Sequence, residues 1–224
     1  MSQQIVVFDF DGTMIRRDST LWLIKELFWV NWLKLPITFA YLVGMFCARS
    51  GKPEHLQELK CKCIGNLIKG KTLEGLKASL DRFRNKVLSA QVDQSFARIM
   101  EAADRGQRVV VVTASPEIAI AHALKDFPVT VVGTSYIILN GRYTGALLSP
   151  PCFGSEKVKR MDAWLSHANL LWEDVVEAWG DSPSDWPLMG KCDKRVWISG
   201  SQQKSEVLRV LDPEGQHLMP NVWL

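Results

Sequence analysis

Two aspartates spaced by two, Asp9 and Asp11, stand where an apolar run stops at a carboxylate-glycine turn. At the end of a strand, residues i and i+2 share a face, and open α/β sheets bind ligands in the crevice at the carboxyl edge. Carboxylates this close repel unless a cation lies between them or one keeps a proton. A hard divalent ion such as Mg²⁺ takes oxygen ligands and normally engages one or two carboxylates plus substrate phosphate. The pair therefore points to a metal, a nucleophilic carboxylate, a general acid, or a mixture of these. Three further places carry matching chemistry. Thr113 ends a second apolar run and precedes Ala114-Ser115-Pro116, which sets a hydroxyl and backbone amides at a helix start. Lys157, in Phe153-Gly154-Ser155-Glu156-Lys157, opens a helix, where the macrodipole disfavours a cation and calls for an anionic partner. Asp181 and Asp185 follow another apolar run in Gly180-Asp181-Ser182-Pro183-Ser184-Asp185. Singly, each has a bland explanation: a solvated loop acid, a surface lysine, a turn. As a set at strand ends, they converge.

The elements that must position them follow from the apolar runs. Ile5 to Phe8, Val109 to Val112, Val129 to Val132, Val175 to Trp179 and Arg195 to Ile198 read as strands buried on both faces. Helices are expected over Asp93 to Arg105, Pro116 to Lys125, Glu156 to Leu171, Ser184 to Lys191 and Gln202 to Leu211. Strands alternating with helices require an α/β fold with a mostly parallel sheet covered on both faces. Tyr136 to Leu139 and Arg142 to Leu147 flank Asn140-Gly141, a hairpin turn, and predict a small β-hairpin appended to the core. Residues 14 to 90 break the alternation. They read as an inserted helical cap between a core of residues 1–13 and 91–224. The tail from Asp212 to Leu224 reads as irregular.

Asp9-Phe10-Asp11-Gly12-Thr13, Thr113-Ala114-Ser115-Pro116, the lysine of Gly154-Ser155-Glu156-Lys157 and Gly180-Asp181-Ser182-Pro183-Ser184-Asp185 resemble, in order, the four motifs of the haloacid dehalogenase superfamily. The first is in its phosphatase form. Together with the helices after that motif, they resemble the subfamily holding phosphoserine phosphatase and the phosphatidylglycerophosphatase C type. The resemblance implies a Rossmann-like parallel sheet and a Mg²⁺-dependent phosphomonoesterase acting through an aspartyl-phosphate. It assigns Asp9 as nucleophile and Asp11 as the acid that protonates the leaving oxygen and then activates water. Thr113 and backbone amides around Phe10, Gly12 and Ala114 would hold the phosphoryl oxygens. Lys157 would neutralise charge on phosphate and nucleophile. Asp9, Asp11 (through its backbone carbonyl) and Asp181 would ligate Mg²⁺, with Asp185 close behind. Phosphoryl transfer needs mostly positioning and charge neutralisation, which fits these roles. A non-catalytic protein of this fold should have lost a motif residue, and none is missing.

The helical insertion bears on the substrate. Leu21 to Ala48 is nearly all apolar, broken by Lys25, Glu26, Asn31, Lys34 and Pro36. Although about 20 apolar residues span a bilayer, a single crossing would part Asp9 from Thr113, Lys157 and Asp181. Two readings remain open. In one, residues 21–48 make a peripheral or re-entrant membrane contact at the cytoplasmic face, with Trp22, Trp29 and Trp32 at the interface, Pro36 at the turn and the lysines and arginines of 52–86 facing anionic head groups. That favours a lipid phosphate such as phosphatidylglycerophosphate. In the other, the same residues are a buried helix pair in a soluble cap, and the substrate is phosphoserine or another small metabolite. Phosphoserine phosphatases usually carry serine where this chain has Gly12.

Composition excludes other classes. The 224 residues are 47% hydrophobic and 23% charged, which rules out intrinsic disorder. A net charge of +3 is too mild for a nucleic-acid partner. Cys47, Cys61, Cys63, Cys152 and Cys192 lack zinc-site spacing and read as reduced thiols in the cytoplasm. The first apolar stretch is too short for a secretory signal. His55, His122, His167 and His217 lie away from the motifs.

Overall fold

The computed structural model describes residues 3–28, 34–48 and 51–218. In chain order its strands are β1 (Ile5–Phe8), β2 (Arg108–Pro116), β3 (Val129–Thr134), β4 (Tyr136–Leu139), β5 (Arg142–Leu147), β6 (Val175–Gly180), β7 (Lys194–Ile198) and β8 (Gln216–Leu218). Six of them form one parallel sheet in the order β3-β2-β1-β6-β7-β8, and β4 pairs with β5 in a separate antiparallel ribbon. The helices are α1 (Thr20–Phe28), α2 (Leu35–Cys47), α3 (Pro53–Ile68), α4 (Leu73–Ser89), α5 (Asp93–Asp104), α6 (Glu117–Ala123), α7 (Ser155–Ala168), α8 (Trp186–Met189) and α9 (Gln202–Leu211).

Strand alternation explains the two cores. Val6 and Phe8 of β1, with Val109 and Val111 of β2, face α5 and α6 on one side; Ile5, Val7, Val110 and Val112 face α7, α8 and α9 on the other. All four β1 residues are fully buried, as a central parallel strand requires. Glu177, an acid inside the β6 run, is buried beside Arg98, which reaches it at 2.7 Å, and Lys194 at 3.1 Å. The first core continues without a break into Leu23, Ile24 and Leu27 of α1, Ile64 and Leu67 of α3, and Leu76, Leu80 and Phe83 of α4. The helices after β1 therefore share one hydrophobic core with the sheet.

Several expectations need correction. The tail is not wholly irregular, because Gln216–Leu218 pairs parallel with β7; residues 219–224 lie outside the described residues. The segment expected as one helix from Ser184 divides into a 3-10 turn (Pro183–Asp185) and α8. The hairpin forms where Asn140-Gly141 places it, but it leans on α3. The Tyr136 hydroxyl donates to the Cys61 carbonyl at 2.8 Å, and Gly65 and Gly145 pack so closely that a Cβ on Gly65 would meet the Gly145 carbonyl oxygen at 2.2 Å. Pro36 lies in the first turn of α2, where its missing N–H costs nothing, so it opens that helix and does not mark a turn. Trp22 packs against the core, whereas Trp29, Asn31 and Trp32 lie outside the described residues.

Helix α1 buries Leu23, Ile24 and Leu27 and leaves Leu21 exposed, whereas α2 buries only Thr38 and Met45 among its described side chains. Ile37, Phe39, Val43 and Phe46 of α2 are exposed, Phe46 by 73% and Phe39 by 64%. Among the described residues no helix is long and apolar enough to cross a membrane.

Candidate active site

The motifs meet at the carboxyl ends of β2, β1 and β6, three neighbouring strands. Here β1 lies between β2 and β6, where the strand order changes direction across the sheet, and such switch points open a crevice. Asp9 follows β1 directly, and its N–H donates to the Trp179 carbonyl on β6 at 2.8 Å. Asp181 follows β6, and Asp185 sits at the end of the next 3-10 turn. Oxygens of Asp9, Asp181 and Asp185 all lie within 4.8 Å of one another.

Lys157 reaches this group from the first turn of α7. Its ammonium, with the residue only 2% exposed, donates to Asp9 Oδ1 at 2.5 Å and Asp185 Oδ1 at 2.7 Å. Burial opposes its charge, but Asp185 and Asp9 outweigh that and hold its pKa above the ordinary value. The other Asp185 oxygen accepts from the Asp181 and Ser182 N–H groups at 3.2 and 3.0 Å. Lys204, in the first turn of α9, pairs with Asp181. Gly12 is required here, since its φ is +86° and a Cβ would fall 2.0 Å from Asp181 Oδ2.

Asp11 lies apart from this trio. Its carboxylate accepts from the Ser19 N–H at 2.7 Å and the Ser115 hydroxyl at 2.6 Å, so its side chain is not among the grouped acids. Burial lifts its pKa to about 6, with Asp18 adding to the rise and Ser115 and Ser19 resisting it. Thr113 is buried, and its hydroxyl oxygen accepts from the Ser115 N–H at 3.0 Å. The Ala114 carbonyl takes donors from Thr134 Oγ1 at 2.7 Å and, across from α3, from Gln57 Nε2 at 3.0 Å. The Phe10 side chain lies in the core, and its carbonyl accepts from the Met14 N–H at 2.9 Å, tightening the loop after β1.

Asp9, Asp11, Gly12, Ala114, Lys157, Asp181 and Asp185 border an open cleft of about 370 Å³, whereas Thr113 and the Phe10 side chain are buried and do not line it. Ser19, Ser115, Gln57, Lys204, Arg16, Arg17 and Asp18, whose side chains carry no role in the four motifs, line it or hold its acids, and so does Lys60 from the basic stretch of residues 52–86. For Lys204 a signal existed: it follows the Ser201 cap into the first turn of a helix, the same unfavourable place for a cation that singled out Lys157.

The trio fits a hard divalent cation. All its donors are carboxylate oxygens, and three carboxylates face two ammoniums, leaving a negative charge unmatched. Burial drives the Asp9 pKa well up, against the pull of Lys157 and with reinforcement from Asp185 and Asp181. Asp181 is lifted to about 7 by burial, against Lys204 and with help from Asp185. The sign of the pH effect follows. An unfolded aspartate titrates near ~3.9, so below that pH both states carry the proton and nothing is gained or lost. Above it, the unfolded chain ionises freely while the folded one resists, and stability is withdrawn as pH rises through about 6 for Asp11 and about 7 for Asp181. A divalent ion held by the ionised acids reverses this. Adding Mg²⁺ in place of EDTA is expected to leave Tm nearly unchanged at a pH of about 5 and to raise it by ~5 °C at about 7.5. Equal effects at both pH values in scanning calorimetry would show that these acids hold no cation.

A family model described as haloacid dehalogenase-like hydrolase matches residues 6–190. Among curated proteins, the chain is 25% identical over 198 residues to Protein CicA of Caulobacter vibrioides (strain NA1000 / CB15N), across 85% of this chain and 84% of that protein. Among solved structures it resembles a protein of unknown function from Bordetella pertussis Tohama I, with TM-score 0.79, 20% identity, and 97% and 99% of the two chains covered. It also resembles a phospho-aspartyl intermediate analogue of phosphoserine phosphatase, with TM-score 0.54, 16% identity, and 88% and 87% covered. At these identities the two structures speak to the fold.

Proposed function

The chain belongs to the haloacid dehalogenase-like hydrolase family, and from that premise we propose that it is a Mg²⁺-dependent phosphomonoester hydrolase working through an aspartyl-phosphate on Asp9. The observation that carries this reading is the paired arrangement of Asp9 and Asp11. One carboxylate is buried against Lys157 inside an acidic trio, and the other is held separately by Ser19 and Ser115 with a pKa of about 6. Two carboxyls in such different surroundings suit different tasks.

An Asp9 oxygen attacks phosphorus, the bond from phosphorus to the ester oxygen breaks, and Asp11 gives that oxygen its proton. Asp11, now a base, takes a proton from water as it attacks the aspartyl-phosphate. Phosphate leaves and the Asp9 carboxylate returns. Lys157 balances charge on Asp9 and the phosphoryl oxygens, while the Thr113 hydroxyl and the amides of Phe10 and Ala114 orient those oxygens; the Gly12 N–H is spent on the Ile15 carbonyl at 2.8 Å, and Gly12 serves by leaving room for Asp181. Asp9, Asp181, Asp185 and the Asp11 carbonyl would hold Mg²⁺, which when bound neutralises phosphoryl charge.

For the substrate we favour an amphiphilic phosphate, such as phosphatidylglycerophosphate, met at the cytoplasmic face of a membrane, with residues 14–90 acting as the cap. A hollow of about 230 Å³ lined by Leu21, Leu42, Met45, Phe46 and Leu56 shares Asp18 and Lys60 with the catalytic cleft. A polar head in the cleft thus has an apolar channel beside it, next to the exposed face of α2. The likeness to phosphoserine phosphatase supports the alternative, a water-soluble metabolite.

Hydrolysis of p-nitrophenyl phosphate is expected to require Mg²⁺ and to stop in EDTA; EDTA-insensitive turnover would end the metal-dependent reading. In detergent-dispersed phosphatidylglycerophosphate, kcat/KM should exceed that for phosphoserine by about a hundredfold, a difference of ~2.7 kcal/mol. The reverse order would place the substrate in solution.

A further inference from the structure

Five cations border the catalytic cleft: Arg16, Arg17, Lys60, Lys157 and Lys204. Three are committed to carboxylates, Lys60 to Asp18, Lys157 to Asp9 and Asp185, and Lys204 to Asp181. The two arginines are not. Among the described residues neither guanidinium meets a carboxylate or an acceptor, and Arg16 Nε is buried without a hydrogen-bond partner.

Arg16 is not a loosely tethered surface residue. Its N–H donates to the Ala90 carbonyl at 3.0 Å, and the neighbouring Ile15 bridges both Asp11 and Gln91. Gly12 N–H closes the loop onto the Ile15 carbonyl at 2.8 Å. The fork is thus presented from a fixed point five residues past Asp11, beside the leaving-group acid. A guanidinium recognises carboxylate and phosphate oxygens through paired donors in one plane.

We propose that Arg16 and Arg17 bind a second anionic group, a carboxylate or a phosphodiester, carried on the leaving-group side of the substrate, and so set specificity. This rests on the phosphomonoesterase reading of the same cleft. Binding can be tested apart from turnover with phosphonates, whose carbon–phosphorus bond resists hydrolysis. By calorimetry in Mg²⁺, 3-phosphonopropionate is compared with propylphosphonate, which lacks the carboxylate. The phosphodiester arm compares the phosphonate analogues of glycerophosphoglycerol phosphate and of glycerol 3-phosphate, in which a methylene replaces the monoester oxygen, as competitors of propylphosphonate binding.

At least one anion-bearing probe should bind about tenfold more tightly than its partner, and R16Q/R17Q should bring that ratio near one. Which arm responds identifies the group. Equal binding within both pairs, or a preference that survives in R16Q/R17Q, overturns the proposal. Should the double variant fold poorly, R17Q alone is used, since Arg17 is exposed, and it should lose part of the preference; full retention there counts against the proposal. A preference that holds in a protein with no phosphatase turnover would sink the hydrolase reading and leave the anion site standing.

Discussion

Asp9→Asn is expected to cut p-nitrophenyl phosphate hydrolysis in Mg²⁺ by at least about 10⁴-fold, because an amide oxygen cannot serve as the nucleophile that accepts phosphorus. The same change should do little harm to the fold. Asp9 is buried and pressed by Asp185 and Asp181 as well as drawn by Lys157, so its charge is poorly favoured without a cation. An asparagine oxygen can still accept from the Lys157 ammonium, which now reaches Asp9 Oδ1 at 2.5 Å. Replacing one of three clustered carboxylates by a neutral amide lowers their mutual repulsion. Tm in EDTA should therefore match the wild type within a few degrees or exceed it, while the rise produced by Mg²⁺ shrinks. Loss of activity together with a preserved Tm separates a chemical role from a structural one. Activity within tenfold of wild type would remove Asp9 from the mechanism and the aspartyl-phosphate with it.

What the sequence made legible was whatever local chemistry decides. Ile5 to Phe8 is apolar, β-branched at its first three positions and stopped by Asp9, which suits a short strand buried on both faces. Asn140-Gly141 fixes a hairpin because Asn140 adopts φ +50° and Gly141 +73°. Contacts between distant segments were not legible. The Ser115 hydroxyl meets Asp11 across 104 positions, and the Ser19 amide reaches it only because the loop from Gly12 folds back through Ile15. Nothing in their spacing announces this. The β8 strand escaped notice for another reason: Gln216-His217-Leu218 has no apolar run, and it becomes a strand by pairing at the sheet edge, where the Ser199 N–H donates to the Leu218 carbonyl at 2.9 Å. Helix α2 is apolar on nearly every side, so its pattern could not say which face would be covered.

Lys157→Met should be the most damaging change to the folded state. Methionine matches the lysine stem in length and tolerates burial, so the substitution removes charge with little change in volume. It leaves the Asp9 and Asp185 carboxylates, both nearly inaccessible, facing each other without the ammonium that joins them. Removing one partner of a buried pair costs about 3–5 kcal/mol, because the remaining charge is neither solvated nor matched. For a chain of this length that is a fall in Tm of roughly 10 °C in EDTA near neutral pH. The loss has a pH signature. A proton can quench the Asp9 charge left behind, and its folded pKa, already raised, rises further without Lys157. For a raised carboxyl pKa the penalty is absent at low pH and grows as pH climbs, so the deficit against wild type should narrow toward pH ~5. Mg²⁺ should recover part of the Tm by supplying positive charge to the same carboxylates, yet leave hydrolysis down by about 10³-fold, since the ammonium that we propose neutralises the phosphoryl oxygens is gone. Lys157→Arg should not restore the rate, as a planar guanidinium does not fit a position exposed by only 2%. A methionine variant as stable as wild type at neutral pH would mean that Lys157 and Asp9 do not form an ion pair, and the charge accounting of the cleft would have to be rebuilt around Asp185.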